Sequence, residues 1–96
     1  MSRRAVFRFR LYVADDAPNS ARAVSNLTAL CREHLQGRHE IEVVDVFRHP
    51  ERALADEIYM TPTLVRLSPA PARKIVGSLS DTLAVLQALG LGKRAG

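Results

Sequence analysis

The hydrophobic period of the first half of the chain changes twice, and this change constrains the fold more than any other feature. From Val6 to Val13 apolar side chains alternate with arginines, which predicts a strand with one buried face. Apolar residues then recur three and four apart, which predicts an amphipathic helix from about Asn19 to Leu35. The segment EIEVVDVF predicts a second strand, apolar on both faces as a central strand would be. This order indicates a right-handed parallel crossover.

The second half predicts shorter elements. In RHPERALADEI, Pro50 suits a first helical turn, and Leu54 and Ile58 lie four apart, so a short helix is expected. The segments PTLVRLS and ARKIVGS predict two strands joined by SPAPA, because a proline cannot donate a ladder hydrogen bond. A last helix opens at Ser80 and Asp81 and ends near Gly90, and it carries leucines at 83, 86 and 89.

The whole chain of 96 residues suits one α/β domain, 1–96, with the order βαβαββα. Its core is expected over about residues 5–91. The basic residues near the ends are expected to lie in flexible, solubilising termini; they are Arg3, Arg4, Lys93 and Arg94.

Composition narrows the choice of partner and compartment. The net charge of +4 favours an acidic partner. Aromatic residues make up only 5% and no nucleic-acid motif is present, which makes nucleic-acid binding improbable. One cysteine excludes an internal disulfide, and no apolar run approaches the roughly 20 residues of a membrane span, so a cytoplasmic protein is expected. One cysteine and three scattered histidines show no metal-ligand spacing, so no metal or other cofactor is expected.

The predicted order, βαβ followed by antiparallel ββα, is that of the thioredoxin fold. In that fold a proline, often after a cis peptide bond, begins the third strand; Thr61-Pro62-Thr63 resembles this loop and predicts a cis Thr61–Pro62 bond. A thioredoxin enzyme carries a dithiol just after its first strand, where this chain reads APNS. Cys31 lies on the apolar side of the predicted helix and is expected to be an inert hydrophobe. We therefore predict that the protein is not an enzyme.

Three motifs in order, LYVADDAPNSARAV, QGRHEIEVVDVFRHP and MTPTLVRLSPAPARKIVGSLSD, resemble the KaiB family of circadian clock proteins. The resemblance implies a metamorphic protein. Its ground state, usually a tetramer, has the order βαββααβ, and a rarer thioredoxin-like monomer binds the hexameric ATPase KaiC. The two forms share the first half of the chain. Pro62, Pro69 and Pro71 are therefore candidate switch residues, although plain turn and edge roles explain Pro69 and Pro71 equally well.

The resemblance also implies partners and contact residues. In the family, the thioredoxin-like form docks on KaiC, competes there with the kinase SasA and, in cyanobacteria, recruits KaiA. Arg10 and Arg22 stand at positions that are basic in the family and are candidates for partner contact, unless they are ordinary solvated surface. Glu42 stands where clock members have a basic residue. This charge reversal is expected to weaken docking on an acidic partner or to indicate a different partner.

A second departure concerns the balance of forms. Ala88 replaces a glycine of the family and Gly90 replaces an aspartate, and alanine favours a helix over glycine by about 0.5–1 kcal/mol. We therefore predict the thioredoxin-like form as the resting state, with homo-oligomers, dimer or tetramer, in equilibrium with monomer.

Two functions are consistent with these features. The first is a non-catalytic regulator that binds a KaiC-type ATPase and changes its phosphorylation or its clock or stress output. The alternative is an interaction module that competes for, or binds, SasA-like sensor histidine kinases in stress signalling without a true clock.

Overall fold

The computed structural model describes residues 6–91 and forms a four-stranded sheet with the order β2-β1-β3-β4. The strand β1 runs parallel to β2 and antiparallel to β3, and β3 runs antiparallel to β4. The elements in chain order are β1 (Phe7–Val13), α1 (Pro18–His34), β2 (His39–Asp45), α2 (Pro50–Ala55), β3 (Thr63–Ser68), β4 (Arg73–Val76) and α3 (Thr82–Ala88). The predicted βαβαββα order is confirmed, and the alternative order βαββααβ is not the one seen here.

The alternation of side chains along β1 divides the protein into two layers of packing. Phe7, Phe9, Leu11 and Val13 face a large core that is completed by apolar residues of α1 and α3. Tyr12 faces the opposite way, into a smaller core with Val44, Val65 and Ala53 of α2. One short helix therefore covers the second face of the sheet, which leaves much of that face accessible.

The end of α3 is attached to the sheet by a buried arginine. Arg66, on β3, donates hydrogen bonds to the backbone oxygens of Leu89 and Pro71, both at 2.7 Å. Burial lowers the pKa of this guanidinium, and the nearby charge of Arg73 acts in the same direction. Gly90 follows with a φ of +78°, a conformation that glycine adopts without steric cost, and ends the helix as predicted.

The prolines lie where their restricted chemistry predicts. The Thr61–Pro62 bond is cis, as expected, and Pro62 immediately precedes β3. Pro69 and Pro71 lie between β3 and β4, each after a cis bond.

The Asp81 side chain accepts a hydrogen bond from the Ala84 amide at 3.2 Å and caps α3.

Two predictions about packing are wrong. β2 is an edge strand and not a central one, and its Val43 is 48% exposed. The helix α2 ends at Ala55, so it does not include Ile58, and it buries Ala53 while Leu54 points into solvent. Both β2 and α2 therefore carry apolar side chains that the rest of the fold leaves exposed.

The predicted flexible termini, which contain Arg3, Arg4, Lys93 and Arg94, lie outside the described residues. Within residues 6–91, no helix has the length and apolar character needed to cross a membrane.

Candidate partner-binding face

The face of the sheet that carries α2 holds a network of charged side chains. Arg10, on β1, donates from Nε to Glu42 Oε1 at 2.9 Å and from Nη1 to Asp56 Oδ2 at 3.0 Å. Arg52, on α2, donates to the same Glu42 carboxylate at 2.8–2.9 Å. The Tyr12 hydroxyl donates to Asp56. These bonds connect β1, β2 and the end of α2.

The pKa values of the network reflect this mutual pairing. Hydrogen bonds from Arg10 and then Arg52 lower the pKa of Glu42. The pKa of Asp56 is lowered first by the Tyr12 hydroxyl and also by Arg10, against the opposing effect of burial. Glu42 is the main reason that the pKa of Arg10 is raised. All three groups are therefore charged near neutral pH.

Two of the predicted contact residues, Arg10 and Glu42, are thus partners of each other within one chain. The Arg10 side chain is 24% exposed and its donors already meet two carboxylates, so little of its charge faces solvent unpaired. Contact of either residue with another protein stays a prediction. The negative charge at position 42 has a local role, because Glu42 pairs with two arginines, Arg10 and Arg52.

Arg22 does not join this face. It lies on α1, which packs on the opposite side of the sheet, and it is exposed. Its Nη1 donates to Asn19 Oδ1 at 3.4 Å, one turn earlier on the same helix. A partner that contacted both Arg10 and Arg22 would have to reach around the end or edge of the sheet.

Next to the charged network lies an exposed apolar crest formed by Phe47, Tyr59 and Met60. Their exposures are 73%, 83% and 63%, unusually high for large apolar side chains. The Asp45 carboxylate accepts from the Phe47 amide at 2.8 Å, and the Thr63 hydroxyl donates to the Met60 carbonyl at 2.6 Å. These bonds fix the backbone on both sides of the crest.

The crest borders a cleft of about 220 Å³ that also reaches Ala14 and Thr61. Ala14 follows β1 directly and Thr61 precedes the cis proline, so this is the region where a thioredoxin enzyme would hold its dithiol. The sequence analysis missed the crest residues. A usable signal was that Tyr59 and Met60 are large apolar residues between the predicted short helix and the predicted third strand, outside both patterns.

The chain's cysteine is buried in the large core and does not line this cleft. Cys31 is fully buried in the large core, and burial raises the pKa of its thiol to about 11. The thiol is therefore protonated at neutral pH and is not a ready nucleophile. Within the described residues, no group of three His, Cys, Asp or Glu side chains is placed to hold a metal ion.

The candidate switch residues all lie in the second half of the fold, and Arg66 connects two of their segments by donating to the carbonyls of Pro71 and Leu89. Pro62 is buried at the start of β3, while Pro69 and Pro71 lie in the β3–β4 connection. Ala88 is the last residue of α3, and Gly90 follows its C-cap. Their role in any exchange of folds stays a prediction.

Comparisons with known proteins decide the family. The family model described as KaiB domain matches residues 10–91. This chain belongs to the KaiB family. The circadian clock oscillator protein KaiB of Gloeothece citriformis is 42% identical over 92% of this chain and 83% of its own length. KaiB of Synechococcus elongatus is 42% identical over 95% of this chain and 89% of its own length.

Solved structures agree with the thioredoxin-like fold. The N-terminal domain of Synechococcus elongatus SasA matches 100% of this chain and 94% of its own with a TM-score of 0.74 at 21% identity. Chloroplastic thioredoxin z matches 92% of this chain and 80% of its own, also with a TM-score of 0.74, at 19% identity. At these identities the likeness concerns the fold alone. This KaiB-family chain therefore has the thioredoxin-like architecture.

Proposed function

We propose that this protein is a non-catalytic regulator that binds a KaiC-type hexameric ATPase in the cytoplasm and changes its phosphorylation or its clock or stress output. The partner class comes from membership of the KaiB family. Action by binding and not by catalysis is supported by the face that carries α2, which offers an exposed surface for docking but no reactive thiol.

The observation that carries the proposal is the exposed apolar crest. Tyr59 is 83% exposed although its ring is among the larger apolar surfaces of the chain. Complete burial of such a side chain stabilises a complex by about 1.5–3 kcal/mol, and aromatic side chains are common anchors of interfaces. A crest of this kind, next to a cleft and with its backbone fixed, is suited to insertion into a partner's surface.

A sensor histidine kinase is the second candidate partner, or the protein with which this chain competes. The likeness to the SasA N-terminal domain over the whole chain supports a shared architecture. An architecture shared with a kinase module suits two roles, competition for the kinase's binding site and pairing with the module itself.

The test mixes the purified protein with its host's KaiC-type ATPase, with ATP or ADP, and follows complex formation by size-exclusion chromatography and by fluorescence anisotropy of labelled protein. We expect a large complex. Tyr59→Ala and Met60→Ala should each raise the dissociation constant at least tenfold, since a loss of about 1.4 kcal/mol has this effect.

The matched control is Leu83→Ala, because Leu83 is 72% exposed but lies on α3 at the opposite face. It should bind as wild type does. Absence of a complex with either nucleotide would overturn the proposal for the ATPase, and recovery of a histidine kinase from the host lysate would then favour the alternative. Equal losses for Tyr59→Ala and Leu83→Ala would show that the crest is not the anchor.

A further inference from the structure

The outer edge of β4 is a second candidate binding surface of the sheet. β4 ends the sheet, and among residues 6–91 no strand pairs with its outer side. Unpaired backbone groups on an edge strand can accept an added strand from another chain. The strand that could be added depends on which backbone N–H and C=O groups of β4 point outward and on the cavities beside them.

The register of β3 and β4 determines which backbone groups of β4 point outward. The Gly77 amide donates to the Pro62 carbonyl at 2.9 Å, which makes these two residues a hydrogen-bonded pair. Hydrogen-bonded and non-hydrogen-bonded pairs alternate in an antiparallel ladder. Ile75, opposite Leu64, is therefore bonded to β3, while the N–H and C=O groups of Lys74 and Val76 point away from the sheet.

Cavities lie beside this edge on both faces of the sheet. On the α3 face a groove of about 560 Å³ is lined by residues that include Ile75, Ala84, Val85 and Ala88. On the α2 face a cleft of about 250 Å³ is lined by residues that include Val76, Tyr59 and Met60. Lys74 and Val76 border both cavities.

An added strand matches this arrangement because its side chains alternate between the two faces of a sheet. One apolar side chain would enter the groove against α3, and the next would cover Val76 from the other side. The small side chains of Ala84 and Ala88 leave room for the first of these. A compact ligand could fill one cavity but could not use both of them together with the backbone edge.

The charge of the strand indicates the composition of the occupant. β4 carries Arg73 and Lys74, both exposed, and within the described residues neither makes an ion pair with a carboxylate. The Lys74 ammonium donates to the Glu57 carbonyl at 3.3 Å, and its charge also helps to lower the pKa of Asp56. Acidic residues in the added strand would therefore find unpaired cations beside them.

We propose that the β4 edge binds an extended acidic peptide segment of a partner protein by strand addition, with alternate apolar side chains in the α3 groove and the α2 cleft. This site shares Tyr59 and Met60 with the crest at the α2 cleft, and it is distinct from the crest in using the outer backbone of β4 and the groove on the α3 face. Its main-chain hydrogen bonds supply affinity, and the two cavities supply selectivity.

The experiment selects a phage-displayed library of random linear heptapeptides against the full-length protein. Selected peptides are synthesised with a fluorescent label, and their dissociation constants are measured by anisotropy. We expect acidic sequences in which apolar residues alternate. On binding, the amide protons of Lys74 and Val76 should become protected from hydrogen exchange.

Variants separate the backbone from the side chains. Val76→Pro removes an outward N–H that β3 does not use, a position where an edge strand tolerates proline. It should weaken peptide binding at least tenfold, while Val76→Ala, which keeps the N–H, should weaken it less than threefold. Ala84→Leu should also weaken binding at least tenfold, because it fills the groove from an exposed helical position.

Thermal unfolding of each variant shows whether it is folded. If Val76→Pro does not fold, peptide binding by Ala84→Leu tests the proposal in its place. The proposal is overturned if the library yields no enriched peptides, or if Val76→Pro and Ala84→Leu bind the selected peptides as wild type does. It is also overturned if the wild-type protein forms dimers that Val76→Pro abolishes, because a second copy would then occupy the edge.

Discussion

Glu42 links two arginines that belong to different elements, Arg10 of β1 and Arg52 of α2. Its carboxylate accepts hydrogen bonds from Arg10 and Arg52, although half of the side chain is open to solvent. A basic residue at this position would place three cations together on the edge of the sheet. Glu42 therefore supports the attachment of α2 to the strands beneath it.

Glu42→Lys should lower the free energy of unfolding by about 1–2 kcal/mol, because two partly exposed pairs are lost and like charges are brought together. Glu40→Lys is the matched control. Glu40 lies on the same edge strand and makes one exposed pair, with Arg8 at 3.5 Å. Its cost should stay below about 0.5 kcal/mol. Urea unfolding at low salt measures both, and equal costs would contradict the role assigned to Glu42.

At the level of elements, the helix α2 is held on the sheet by a polar network as well as by apolar packing. It has six residues, too few for an isolated helix to be stable, and it buries only Ala53. Asp56, its C-cap residue, accepts hydrogen bonds from Tyr12 and Arg10 of β1. The polar network therefore positions α2 and, through the chain that follows, the crest residues Tyr59 and Met60.

Asp56→Asn should destabilise the protein near neutral pH and have little effect in acid. The pKa of Asp56 is lower in the folded protein than in the unfolded chain, where it is near 3.9. Its stabilising contribution is therefore complete above that pH and is lost as the pH falls through the folded-state value. Urea unfolding of both proteins between neutral and acidic pH measures this difference.

The control for this pH series is Glu57→Gln, which changes an exposed neighbouring carboxylate outside the network. It should follow the wild-type stability at every pH. A gap between Asp56→Asn and wild type that stays constant down to the lowest pH would contradict an electrostatic role for Asp56.

The sequence patterns predicted the existence and order of all seven elements but not every packing partner. Periodicity reports which side chains can share a face, and this was sufficient for β1, α1 and the capped start of α3. The same information cannot tell whether a face is covered. Leu54 and Val43 lie at apolar positions of elements whose existence was predicted, yet they are 75% and 48% exposed.

At the scale of the whole molecule, the resemblance to the KaiB family predicts a balance between two folds. We expect the thioredoxin-like form at rest, and NMR secondary shifts should show a strand over Arg73–Val76 and a helix over Thr82–Ala88. Ala88→Gly should shift the population toward the other form, since glycine weakens a helix by about 0.5–1 kcal/mol. NMR measures the populations of the two forms, and light scattering measures their oligomeric state.

Ala29→Gly is the control for this shift. Ala29 is exposed on α1, in the half of the chain that both family folds are expected to share, so the change should lower stability without altering their ratio. Recovery of wild type as a ground-state tetramer at working concentration would contradict the expected resting state.

The sequence by itself determined the α/β class, the order of elements and the lack of a dithiol at the start of α1, because these depend on local periodicity and on residue identity. Only the tertiary structure decided that β2 and β4 lie at the edges, that Phe47, Tyr59 and Met60 form an exposed crest, and that Arg10 meets Glu42 and Asp56. These partners are separated by 32 and 46 positions along the chain. Such contacts follow from strand order and helix placement, which local patterns do not encode.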